Sequence, residues 1–572
     1  MEKELGTTYN LIGGNNPTRI GASCGVIEHK FEKGVPLTRI MLDLGAMIAP
    51  KDAEVDVILP DVRDYLGTQT SFPNIKLDAI FLTHGHEDHF GAYIHLARAG
   101  HTFPPTYASK ETLEMLKTFL TGAGVNLSSS EWQDKFIPVK SKDVIKFKGV
   151  EVEPISVSHP TAGTLGFHFL TKIDGKDEAG ILHLGDYNTR NVIVGNGFNK
   201  DDLADLAERK LVTHIFLDST STGSNSKNMI TYDEGYKNYL QIFDQHSEKQ
   251  VFVPVISGSV QNWANVLRTA KAKNRKVYID GYRLGEVYQS MLNAGMQDFE
   301  VVETDINKFL KLPLSKRLVL LSGAMGEEFS GLYKLVQQEK VVPVKEDKKM
   351  NNKKNKIKKT GHPLFTLDKS SLLVLSQRGI KDLSFNELRK YANMAASLGA
   401  TVVITEADEL IGDFQTARLQ GSGHSCDVET FDVLSSVVNG QKKLNNTNIT
   451  CVPTHGNPTQ LMNTAKIAEK AGLKFFITMN ANDIQLTKRG KNNTQKVAEH
   501  TQNQWIGVTQ ISDNTTDIKK YVYMIVDQNF KSRGEIIDTI TVKVNYKKKH
   551  KKTQSNDKSK NMANFKSKNN ER

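Results

Sequence analysis

Within Leu82-Thr-His-Gly-His-Glu-Asp-His-Phe-Gly91, three histidines and a carboxylate, His84, His86, Asp88 and His89, fall inside six residues. The apolar run Leu77–Thr83 ahead of them predicts a short buried strand. His89–Ala99 behind them predicts a helix stopped at Gly100. The cluster therefore belongs on a strand-to-helix turn, where a rigid scaffold aims several side chains at one point. Imidazole combined with carboxylate suits zinc, manganese or iron rather than calcium. Histidine supplies only 16 of 572 residues, so this density points to chemistry rather than to ordinary surface or core histidines.

A chain of this length exceeds one hydrophobic core and predicts about two to four domains. With 38% hydrophobic and 24% charged residues the expectation is a soluble globular protein. No apolar run approaches the ~18 residues that a membrane span needs. Met1-Glu-Lys-Glu-Leu5 lacks the basic and apolar regions of a secretion signal. Cys24, Cys426 and Cys451 are odd in number and share no paired spacing, which argues against a disulfide framework. These features predict a cytoplasmic protein. Its net charge of +11 is concentrated in two segments. Residues 547–572 carry +8 and residues 340–360 carry +7, leaving −4 for the remainder. Lysine tracts rich in Asn and Ser predict flexible segments that attract polyanions without specificity. A solubilising tail or a codon bias toward Lys and Asn accounts for such tracts equally well, so charge alone does not establish nucleic-acid binding.

Residues 1–220 alternate short apolar strands, such as Thr38–Leu44, Val150–Ser156 and Gly180–Leu184, with Gly- and Asp-rich turns and occasional helices, a layered α/β pattern. Residues 221–430 change to regular strand–helix alternation, predicting a second α/β domain with a parallel sheet, interrupted by a lysine-rich loop at 345–360. Residues 431–480 add helix, strand and helix. Residues 481–546 hold weaker strand-like segments and read as a small C-terminal region of uncertain fold, followed by a low-complexity basic tail at 547–572.

One motif cannot complete a binuclear site, so later segments must return to it. Asp43 in Leu42-Asp-Leu-Gly45, His159 in Val157-Ser-His-Pro160, Asp186 in Leu184-Gly-Asp186 and His455 in Pro453-Thr-His-Gly456 each closely follow an apolar strand. That is the address expected of active-site residues at a sheet edge.

Taken together, His84-x-His86-x-Asp88-His89, His159 and Asp186, with Asp43 ahead of them, resemble the motifs of the metallo-β-lactamase fold. The resemblance implies a four-layer α/β/β/α sandwich with metals at the sheet edges. Leu217-Asp-Ser-Thr220, Gly421-Ser-Gly-His-Ser-Cys426 and Pro453-Thr-His-Gly456 resemble the further motifs of the β-CASP branch, whose members act on nucleic acids. The last two look most like the ribonuclease J group. On this reading 1–220 and 431–480 are two parts of the sandwich, and 221–430 is an inserted β-CASP domain. The resemblance spans about residues 8–480. It implies two divalent metals, zinc first and manganese as the alternative. His84, His86 and His159 would hold one, Asp88, His89 and His455 the other, and Asp186 would bridge them. Asp43 would fix a ligand histidine from behind. His424, paired with Asp218, would protonate the leaving ribose oxygen or bind the scissile phosphate. Ser422, Gly423 and Ser425 would cradle a phosphate.

The implied activity is that of a metal-dependent ribonuclease in RNA processing and decay, with RNA as partner, cutting from the 5′ end, internally, or both. A homo-oligomer and an RNA-decay complex both stay open. Three segments depart from the family's pattern, Ile256-Ser-Gly-Ser-Val260, Leu321-Ser-Gly-Ala-Met-Gly-Glu-Glu328 and Leu375-Ser-Gln-Arg-Gly-Ile380, and all lie in the predicted insertion. Two alternatives are a hydrolase of another ester on the same fold and a non-catalytic RNA-binding scaffold. The long insertion argues against the first, and the filled ligand positions argue against the second.

Overall fold

The computed structural model describes residues 5–15, 21–49, 53–66, 76–224, 229–337, 362–377, 384–405, 414–478, 482–486, 505–512, 518–526 and 532–543. The basic stretches at 340–360 and 547–572 and the Arg378–Ile380 part of the third departing segment lie outside the described residues.

Two seven-stranded sheets face each other. In the first, the strands run in the order Asn482–Leu486, Gly6–Gly14, Gly21–Lys30, Thr38–Leu42, Ala79–Phe81, Thr106–Ala108 and Phe136–Pro138. In the second, the order is Lys474–Phe475, Thr450–Thr454, His214–Asp218, Lys176–His183, Leu165–Ile173, Val150–Ser156 and Ile145–Phe147. Alternation at period two explains the layers. Ala79 and Phe81 point between the sheets, where Phe81 packs edge-on against Phe167 at 5.2 Å and Phe169 at 5.9 Å. Ile80 points the other way, into the core beneath the helices Glu87–Arg98 and Lys110–Gly122. The outer face of the second sheet is covered by Lys200–Arg209, Asp427–Lys443 and Pro458–Lys470. This is an α/β/β/α sandwich. Truncating Phe81, at the centre of the inter-sheet core, would cost about 3–5 kcal/mol.

Between the strands His214–Asp218 and Thr450–Thr454, which pair in parallel, the chain leaves the sandwich. The excursion builds a six-stranded parallel sheet in the order Lys276–Asp280, Arg317–Leu321, Gln250–Pro254, Ser371–Leu375, Thr401–Thr405 and Gln415–Ala417. Near-continuous apolar runs such as Val251–Val253 and Leu318–Leu321 are fully buried, as a sheet covered on both faces requires. Trp263 and Tyr288 of this unit share one core with Leu116 and Phe119 of the sandwich.

The C-terminal region, whose fold the sequence left uncertain over 481–546, adds strands to sheets begun by the N-terminal residues. Asn482–Leu486 pairs antiparallel with Gly6–Gly14 and extends the first sheet. Trp505–Ser512, Ile518–Val526 and Ser532–Lys543 join Val57–Pro60 and Met47–Ile48 in a fourth, antiparallel sheet. The strands complete edges supplied by the N-terminal hundred residues, and such long-range pairing leaves no local pattern to read. Among the described residues no helix is long and apolar enough to cross a membrane.

Candidate metal centre

The ends of both sheets deliver their polar residues to one pocket. His84, His86 and His159 bring ring nitrogens together, and beside them stand Asp88, His89, Asp186 and His455. A third grouping, Asp186, Asp218, His424 and His455, shares members with the second. Ligand atoms within each group lie within 4.8 Å of one another. His84, His89, His159, Asp186, Asp218 and His455 are all buried, whereas His86, Asp88 and His424 face the adjoining cleft.

Asp43 follows Thr38–Leu42 at φ 58°, and His455 follows Thr450–Thr454 at φ 53°. A left-handed backbone is strained for both residue types, and such strain persists only where surrounding contacts over-determine it. Gly185, at φ 60°, supplies the turn between Leu184 and Asp186 without that cost.

Hydrogen bonds behind the pocket fix which ring nitrogen faces inward. His89 Nδ1 donates to Asp43 Oδ2 at 2.8 Å. Asp43 also accepts the Thr83 amide at 2.7 Å and the Thr83 hydroxyl at 2.9 Å. With its own proton committed, that hydroxyl accepts from His84 Nδ1 at 2.9 Å. Thr220 repeats the device, since its hydroxyl donates to the His455 carbonyl at 3.0 Å and accepts from His455 Nδ1 at 2.9 Å. His159 Nδ1 donates to the Gly423 carbonyl at 3.1 Å. The Nε2 atoms of these four histidines are thereby turned into the pocket, where that of His159 meets His86 Nδ1 at 3.1 Å, the arrangement that metal-binding histidines adopt.

Charge divides the pocket in two. Burial lowers the pKa of His84, His86 and His159, and for His84 the neighbouring histidines lower it further. That shift favours the neutral imidazole, the form that ligates metal. Burial acts the same way on His89 and His455, but carboxylates outweigh it. Asp186, Asp43 and Asp88 hold His89 well above its ordinary value, and Asp186, Asp218 and Asp88 lift His455 to about 10. Burial would raise the Asp186 carboxyl, yet His455 and His89 hold it at about 2. This half of the pocket favours positive charge.

The residues present fit divalent metal. His84 Nε2, His89 Nε2, His455 Nε2 and Asp186 Oδ1 are buried and make no hydrogen bond among the described residues. Buried polar atoms are almost always satisfied, and the nearest polar neighbours of these are other members of the cluster, Asp186 Oδ2 at 3.2 Å from His89 Nε2 and Asp88 Oδ2 at 3.3 Å from His455 Nε2, as in a ligand shell.

Residues 60–196 match the family model described as "Beta-lactamase superfamily domain". "Ribonuclease J 2" of Staphylococcus saprophyticus is 23% identical over 439 residues, which cover 76% of this chain and 67% of that protein. "Ribonuclease J2" of Bacillus subtilis is 22% identical over 499 residues, covering 86% of this chain and 76% of that one. The chain is a metallo-β-lactamase-fold protein similar to ribonuclease J. A crystal structure of a protein of unknown function from Enterococcus faecalis V583 superposes with a TM-score of 0.53 at 16% identity, covering 84% of this chain and all of that one, a likeness of fold.

Next to the ligand shell, His424 Nδ1 donates to Asp218 Oδ2 at 2.7 Å and lies 3.7 Å from Asp186 Oδ2. The carboxylates of Asp218 and Asp186 overcome the effect of burial and raise the His424 pKa. Ser422 and Gly423 line the cleft with His424. Ser425 does not: it is buried, and its hydroxyl bonds Thr430 at 3.0 Å under the start of Asp427–Lys443. Its phosphate-cradling role is thus corrected to an internal contact, because the backbone turns inward at the helix start.

Several supporting residues escaped the sequence reading. Thr83 and Thr220 sit at strand ends, where threonine is common. Asn188 donates to the Gly423 carbonyl at 2.7 Å, and Arg190 donates to the His424 carbonyl at 3.0 Å and to Glu429 at 3.2 Å. These residues fasten the loop carrying His424 to the segment that follows Asp186. Gly423 backs so closely onto His159 and Pro160 that a Cβ would sit 2.7 Å from the proline ring.

Proposed function

We propose that this protein is a metal-dependent ribonuclease that hydrolyses RNA phosphodiester bonds, from the 5′ end, internally, or both. The observation that carries the reading is the pair of adjoining ligand sets, one of His84, His86 and His159 and one of Asp88, His89, Asp186 and His455, with the His424–Asp218 pair beside them in an open cleft. That cleft, about 1220 Å³, lies between the sandwich and the inserted domain and is roomy enough for a polynucleotide strand. Similarity to two ribonuclease J proteins supports RNA as the substrate class.

His84, His86 and His159 would hold one ion, Asp88, His89 and His455 the other, with Asp186 common to both. Zinc is the first candidate and manganese the second. Two such ions supply Lewis acidity, activating water and neutralising charge on the phosphate. The protein's own groups do the rest. Asp43, Thr83, Thr220 and the Gly423 carbonyl orient the imidazoles. Asp218 holds the Nδ1 proton of His424, so Nε2 is the atom that delivers a proton to the departing oxygen or hydrogen-bonds the scissile phosphate. Ser422 and the Gly423 backbone bind substrate oxygens at the cleft wall.

The test is a digestion series with 3′-labelled RNAs bearing a 5′-monophosphate, 5′-triphosphate or 5′-hydroxyl, together with a circular RNA. His84→Ala serves as control, in Mn²⁺ or Zn²⁺. Loss of the monophosphate RNA alone identifies 5′-end-dependent cleavage, and cutting of the circle identifies internal cleavage. No cleavage of any substrate by metal-loaded protein overturns the reading.

A further inference from the structure

Arg98 ends the helix that begins at the metal-binding turn. At a rise of 1.5 Å per residue it stands roughly 15 Å from Asp88 along that helix. A basic side chain in the last helical turn is favourable on any surface helix. Here it does something else. The Arg98 guanidinium lies 3.9 Å over the ring of Tyr521, and both residues line the cleft that holds the metal pocket. Arg98 Nε and Nη1 are buried without a hydrogen bond, and Arg98 has no ion pair, among the described residues, which leaves Nη2 as the guanidinium nitrogen open to the cleft. Among the described residues the other arginine lining this cleft, Arg283, also lies over a ring, that of Phe119 at 4.0 Å, but Glu286 at 3.6 Å partly neutralises it.

Tyr521 comes from the strand Ile518–Val526, more than 400 residues away in sequence. That strand is held against the helix at a second point, where the Tyr523 hydroxyl donates to the His95 carbonyl at 3.0 Å. Its partner Trp505–Ser512 is hydrogen-bonded to Val57–Pro60, which anchors the sheet to the sandwich. The C-terminal strands thus fix the orientation of a cleft-facing cation. A guanidinium stacked on an aromatic face keeps its in-plane N–H groups for a phosphate, here through Nη2, and stacking limits the rotamer freedom lost on binding.

We propose that Arg98, held flat by Tyr521, is a phosphate contact for the RNA strand several nucleotides from the scissile bond, which makes the C-terminal sheet part of the substrate site. This rests on the ribonuclease reading above. A contact at that distance acts on a long substrate and is out of reach of a minimal one. The experiment compares a long single-stranded RNA with bis(p-nitrophenyl) phosphate, using full-length wild type, Arg98→Gln, Arg98→Lys, Tyr521→Leu and Tyr521→Phe. Arg98→Gln should lower the ratio of RNA to minimal-substrate kcat/KM roughly tenfold, through KM. It should also reduce the slope of log Kd against log salt by about 1, with Kd measured by fluorescence anisotropy in chelator. Tyr521→Leu and Arg98→Lys should fall between, and Tyr521→Phe, which keeps the ring, should retain the wild-type ratio. An unchanged ratio and salt slope in Arg98→Gln would overturn the proposal. So would an equal loss in Tyr521→Phe and Tyr521→Leu. Wild type that cleaves the minimal diester but no RNA would refute the ribonuclease reading instead, and the anisotropy measurement would still decide the contact.

Discussion

The floor and the wall of the cleft are built on opposite plans. Three floor histidines are buried close to the ends of strands and each is held by a second group: Asp43 behind His89, Thr83 behind His84, Thr220 behind His455. The wall contributed by the inserted domain consists of loop residues such as Ile256, Ser259, Met325 and Gln377, set at the strand ends of a separate parallel sheet. The floor is specified by residue type and local spacing, the wall by the shape of distant loops. On the proposed function, chemistry and recognition fall on parts of the molecule that can change independently.

The sharpest way to break this comparison is to remove a floor ligand. His84→Ala should abolish one ion's binding and lower RNA cleavage by about 10³-fold or more, with metal content read by elemental analysis. Next comes His424→Ala at the junction of floor and wall. It should cost about 10²-fold in kcat while both metals stay bound, and pre-steady-state rates on a single RNA would check it. If metal is lost as well, the floor and this loop are one unit and the division fails. Asp43→Asn should weaken metal affinity about 10–100-fold without touching substrate, because it acts only through His89 and Thr83. Competition against a calibrated chelator measures it. The smallest effect belongs to Ser422→Ala on the wall side. It removes the 2.6 Å contact with Ser221 and an acceptor for the His424 amide, and should raise KM only a few-fold. A Michaelis–Menten comparison on one RNA tests that, and a large fall in kcat would show that the wall does chemistry.

The same division explains what could be read from the chain. The turn at 84–89 is legible because strand, ligands and helix are adjacent in sequence. Asp43, His159, Asp186 and His455 are legible because each is a polar residue just past an apolar run. Gly423 acts through a carbonyl, which every residue has, so nothing in the sequence marks it as the partner of His159. Asn188 and Arg190 act by reaching a loop some 230 residues later. Ser425 read as a cleft residue from its neighbours Ser422 and His424, yet the chain turns inward at the start of Asp427–Lys443 and buries it. The C-terminal strands were visible only as weak alternation, because their partner edge, Val57–Pro60, lies about 450 residues upstream.

The most direct test of the central claim is a titration of metal-free protein with Mn²⁺ or Zn²⁺ while cleavage of a 3′-labelled, 5′-monophosphorylated RNA is followed. Two ions per chain are predicted, with activity rising as the second equivalent binds and absent in Asp186→Ala. Full cleavage by metal-free protein, or none after two equivalents are bound, would contradict the account.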